Sequence, residues 1–87
     1  MAQKVNPVKF GLTGRTDLEK TGKNHYSIII QRKSRILLKD GEKVLEKIKL
    51  INELIPSAKI DLMTNAPICS KARKFLNENG IEIVHID

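Results

Sequence analysis

The chain has 87 residues, room for one small domain with a limited core, and 40% of them are hydrophobic, which excludes a disordered chain. One Tyr and two Phe are too few for a base-stacking platform, and no apolar run approaches the roughly twenty residues of a membrane span. Cys69, the single cysteine, excludes an internal disulfide and a zinc site with two thiolates, while the formal net charge of +6 points to an anionic partner.

Residues 1–13 read as a loose N-terminal segment with a short strand near Val8–Leu12, and residues 14–87 as one compact α/β domain. A strand starts at Asp17, and Thr21-Gly22-Lys23-Asn24 is a turn, since Gly and Asn tolerate positive φ. Tyr26-Ser27-Ile28-Ile29-Ile30-Gln31-Arg32 is the strongest strand. Its β-branched run predicts burial on both faces and a central place in a sheet. Ser34–Leu38 either extends it or forms a short strand of its own.

Asp40 is the expected N-cap of a helix whose Val44, Leu45, Ile48, Ile51 and Ile55 share one face, and Pro56 and Ser57 stop it. Lys59–Thr64 is a strand. A second helix begins between Asn65 and Ser70, buries Ala72, Phe75 and Leu76, and ends at Gly80 in the left-handed conformation. Ile81–Ile86 is the last strand. The first two main strands predict an antiparallel hairpin. The helical connections predict parallel strands with right-handed crossovers after it.

The charge is one-sided. Residues 1–39 carry nine basic and two acidic side chains, whereas residues 40–87 carry seven basic and eight acidic ones. A basic half attracts a polyanion, so Arg15, Lys20, Lys23, Arg32, Lys33 and Arg35 are candidate phosphate contacts. The same lysines also suit a solvated surface or a strand edge guarded against aggregation.

Asp17 stands fourteen residues before Gln31-Arg32-Lys33. Strand alternation puts Gln31 and Lys33 on one face and Arg32 on the other, and the hairpin brings Asp17 beside them. A carboxylate and an amide oxygen can hold a hard cation, Mg²⁺ or Mn²⁺, and a neighbouring ammonium can stabilise a phosphate's developing charge. Glu19 shares a face with Asp17 and is the candidate auxiliary ligand. The bland alternative has Asp17 capping a turn or pairing with Lys20. His25 reads as a surface residue, and His85, with no partner at metal-ligand spacing, as structural.

At these residues the chain resembles the Mrr-like branch of the PD-(D/E)xK restriction-endonuclease family. The matching strings are Gly14-Arg15-Thr16-Asp17-Leu18 and Ile28-Ile29-Ile30-Gln31-Arg32-Lys33. They continue with Ile60-Asp61-Leu62-Met63-Thr64, Ser70-Lys71-Ala72 and Gly80-Ile81-Glu82-Ile83. The resemblance implies a restriction-endonuclease-like mixed sheet and a metal-dependent DNA endonuclease with Asp17, Gln31 and Lys33 as its catalytic set. Two departures stand out: residues 1–13 lack the family's first helix, and Gln31 replaces the Glu of many relatives. A possible homodimer would put one site on each strand of a duplex. The opening residues show no secretory leader, so a cytoplasmic location is expected.

The first rival from another class is a non-catalytic DNA- or RNA-binding module. Ala66-Pro67-Ile68-Cys69 also resembles a thioredoxin active-site turn, but Ala66 stands where the attacking thiolate belongs. The element order suits a deaminase too, yet Asp40-Gly41-Glu42 and one cysteine leave its zinc set incomplete.

Overall fold

The computed structural model describes residues 3–12 and 17–86. Five strands form one mixed sheet in the order β1-β2-β3-β4-β5, with β1 at Gln3–Lys4, β2 at Asp17–Gly22, β3 at His25–Ile30, β4 at Lys59–Thr64 and β5 at Ile83–His85. The β1–β2 and β2–β3 pairs are antiparallel, and the β3–β4 and β4–β5 pairs are parallel. Helix α1 (Leu38–Leu54) joins β3 to β4, and α2 (Ser70–Glu78) joins β4 to β5. Two crossovers of one hand, taken in one direction across the sheet, put both helices on the same face.

The register fixes which side chains share that face. Leu18, Ile28 and Leu62 lie opposite one another across β2, β3 and β4, and Tyr26 lies opposite Ile60. These five are buried together with Val44, Ile48 and Ile51 of α1 and with Ala72 and Leu76 of α2. Phe10 meets Tyr26 edge-on, at 5.8 Å between ring centroids, and Leu12 is buried in the same core.

The hairpin turns at Lys23-Asn24, where Asn24 takes φ 56°, the left-handed conformation that the turn requires. Gly80 has φ +73° just beyond α2, as its position suggests. Several boundaries differ from expectation: β3 ends at Ile30 and not Arg32, β5 spans only Ile83–His85 of the expected Ile81–Ile86, and three further differences have a local cause. The strand near Val8–Leu12 is a 3₁₀ turn over Pro7–Phe10, because the fixed φ of Pro7 suits a first helical position and Asn6 caps the turn by accepting from the Val8 N–H. Ser34–Leu38 contributes a single bridge, Ile36 with Ile68, and Leu38 already belongs to α1.

The third concerns Asp40, which sits at the third helical position while Leu37 is the N-cap. Leu37 has no side-chain acceptor, so only the return half of a capping box forms: Asp40 Oδ2 accepts from the Leu37 N–H at 2.9 Å. Together with the Arg32 guanidinium, this bond holds the Asp40 carboxyl below the usual carboxylate range, against the opposing pull of burial.

No helix among the described residues is long and apolar enough to cross a membrane.

Candidate functional site

The helix-free face of the sheet carries polar and apolar groups in alternate rows. One row is Asp17, Ile29, Met63 and Val84; the next is Lys4, Glu19, Ser27 and Asp61. Over β1 and β2 this face opens into a cavity of about 410 Å³ lined by Lys4, Asp17, Glu19, Thr21 and Gln31 on its polar side, with Val5, Pro7, Ile29, Met63 and Ile86 among its apolar walls.

The hairpin register explains the juxtaposition. Asp17 pairs with Ile29, so Gln31, two residues further along the chain, lies just past the start of β2. Glu19 stands two residues along β2 from Asp17, at roughly 7 Å of strand rise on the same face. Three of the four residues expected to act together therefore border one cavity.

Lys33 is the exception. β3 ends at Ile30, so strand alternation does not extend through residues 31–33, and Lys33 is exposed in the following loop and is not among the cavity's lining residues. The expected common pocket for acid, amide and amine thus holds the acid and the amide and leaves the amine outside.

The candidate phosphate contacts fall into two groups. Lys20 on β2 and Lys23 in the turn are exposed at one end of the hairpin, and Lys33 and Arg35 are exposed beyond its other end, with β3, about 20 Å long, between the groups. Arg32 is engaged inside the chain. Its Nη2 donates to Asp40 Oδ2 at 2.7 Å and to the Arg35 carbonyl at 3.1 Å, and its Nε donates to the Ser34 carbonyl. Arg15, with Gly14 and Thr16 of the matching string, lies outside the described residues.

Chemically, the cavity offers two carboxylates and one amide oxygen with Lys4 opposite. No group of three His, Cys, Asp or Glu side chains among the described residues can hold a metal ion. That donor set fits a hard divalent cation that keeps most of its water, as Mg²⁺ does, and it does not fit a tightly caged metal.

The structure also corrects the expectation that His25 is a simple surface residue. His25 is half-buried, and its Nε2 meets Asp61 Oδ2 of β4 at 2.9 Å. Beside that pair, Ser27 Oγ and Asp61 Oδ1 are buried without a hydrogen-bond partner. Cys69 is the N-cap of α2, its Sγ accepting from the Ala72 N–H at 3.4 Å. Lys4 reaches the cavity through a two-residue strand pairing that no sequence period signals.

No family model matches the chain, and no curated protein matches it in sequence. Among solved structures, the chain is similar to EndoMS in a complex with double-stranded DNA, with a TM-score of 0.67 and 14% identity. The match covers 82% of this chain and 30% of that one, so this chain spans less than a third of the neighbour's length. The likeness concerns the fold: an α/β mixed sheet with two helices, consistent with the restriction-endonuclease-like architecture expected from the sequence.

Proposed function

We propose that this chain is a DNA-binding domain that hydrolyses phosphodiester bonds with the help of Mg²⁺ or Mn²⁺. The observation that carries the reading is the convergence of Asp17, Glu19 and Gln31 on one cavity of a restriction-endonuclease-like sheet. The ordered motif resemblance to the Mrr-like branch supports it. So does the DNA held by the EndoMS neighbour, a partner carried to this chain as part of the proposal.

Asp17 and Gln31 would hold the cation, with Glu19 as the auxiliary carboxylate. When bound, such a cation lowers the pKa of its water and offsets charge on a phosphate oxygen. Lys33, the expected charge stabiliser, lies in the loop that continues from Gln31 and outside the cavity, so in this reading it would contact phosphate beside the site and not the reacting group itself. Lys20, Lys23, Arg35 and Arg15 supply the sequence-independent attraction to the backbone, Arg32 being occupied within its loop. A second copy would place an equivalent site on the opposite strand.

One observation favours a second reading, a domain that binds DNA without cutting it: Lys33 stands off the cavity, and the acids there number only two. A plasmid-nicking assay separates the two. Nicking that requires Mg²⁺ or Mn²⁺, stops with EDTA and disappears in Asp17→Ala supports hydrolysis. Salt-sensitive binding of the same plasmid with no nicking in either metal leaves the binding domain.

A further inference from the structure

Loop 31–37, between β3 and α1, is more tightly determined than its exposure suggests. Ile36 is wholly buried and joined to the strand-to-helix connection before α2: its N–H donates to the Pro67 carbonyl at 2.8 Å, and its carbonyl accepts from the Cys69 N–H at 3.0 Å. At the loop's start, the Arg32 N–H donates to Asn65 Oδ1 at 3.1 Å. Between these anchors the Arg32 side chain donates to two carbonyls of its own loop, those of Ser34 and Arg35, and to the Asp40 carboxylate. That carboxylate also takes the Leu37 N–H, which ties the loop to the first turn of α1. Lys33, Ser34 and Arg35 are left exposed on the outside of this frame.

We infer that Arg32 and Asp40 form a latch that shapes this loop and holds Lys33 and Arg35 outward as a pair of phosphate contacts. Arg32 is then a positioning residue that acts through its neighbours. The inference rests on the reading of this chain as a DNA-binding domain and assigns the binding role more narrowly. A planar guanidinium suits the task, because one group reaches two carbonyls and a carboxylate in different directions. A lysine has the charge without the fork. The bond to the carboxylate is charge-assisted and is the strongest of the set.

The latch makes a prediction opposite in sign to simple electrostatics. Asp40→Ala removes a negative charge from a basic region, which by charge alone tightens DNA binding. With the latch broken, Lys33 and Arg35 lose their fixed placement, and binding weakens.

The test uses the full chain, a 20-base-pair DNA duplex followed by fluorescence anisotropy, and limited trypsin digestion with mass-spectrometric mapping. Asp40→Ala and Arg32→Lys are both expected to weaken binding about tenfold, the size of one lost charged hydrogen bond, and to speed cleavage within residues 32–35. Lys33→Ala combined with Arg35→Ala is expected to weaken binding and lower the salt slope by about two. Circular dichroism of each variant checks that the helices persist, and Arg32→Lys carries the test where Asp40→Ala fails to fold.

Unchanged or tighter binding in Asp40→Ala or Arg32→Lys overturns the latch, and so does unaccelerated cleavage at the loop. If the unmodified chain fails to bind the duplex, the proposed function falls, and the presentation of Lys33 and Arg35 falls with it. Accelerated cleavage with full DNA binding retained overturns the inference alone.

Discussion

The two faces of the sheet are built on opposite terms. Under the helices, Leu18, Ile28 and Leu62 form an aliphatic row with at most 2% exposure, closed by Val44, Ile51 and Leu76. On the other face the neighbouring row is Glu19, Ser27 and Asp61, and two of its buried oxygens have no partner. Stability resides in the first face. The second keeps polar groups whose desolvation opposes folding.

The largest expected effect tests the covered face. Ile28→Ala should destabilise by about 2–5 kcal/mol, through lost burial and the cavity left behind. Met63→Ala, half-buried on the other face one register step away, should cost clearly less in the same urea titration. Equal losses would erase the distinction between the faces.

Next in size is Ser27→Ala. It removes a buried hydroxyl that has no partner, so stability should rise, by about 1 kcal/mol. A lower urea midpoint in this variant would mean that the hydroxyl is satisfied and the face less strained than described.

A smaller effect comes from Asp40, whose folded-state pKa is lowered by the Leu37 N–H and by Arg32. A carboxyl depressed on folding stabilises above its unfolded pKa of about 4, and that contribution disappears as pH falls through the folded value. Urea midpoints measured from pH 7 down to pH 2 should therefore fall less steeply in the acid range for Asp40→Asn than for the unmodified chain. Parallel curves would remove Asp40 from the acid response.

Smallest is Asp17→Ala. Asp17 is exposed, so its loss should change stability by no more than about 0.5 kcal/mol while abolishing any metal-dependent nicking. A variant that loses both stability and activity would make Asp17 a structural residue.

Much of this arrangement can be read in the sequence where a local rule governs. Ile28-Ile29-Ile30 does mark the central strand, Pro56 does follow the end of α1, and Gly80 does close α2. The hairpin brings Asp17 beside the end of β3 because strand pairing from a short turn leaves few registers. Lys33 escapes the same logic, since alternation holds only while the strand lasts, and β3 stops at Ile30. By sequence Arg32 is a candidate phosphate contact and Asp40 a helix cap. Their bond depends on how a loop folds back on a helix, which no period encodes. The tie between His25 and Asp61 is hidden for a similar reason: it spans two strands whose parallel register is set only after α1 has packed.

Among the described residues the sheet finishes on β1, two residues long, and β5, three residues long. Such brief borders leave few free backbone donors and acceptors for another strand to zip onto. Along these two described strands, then, a neighbouring strand would find little backbone to pair with.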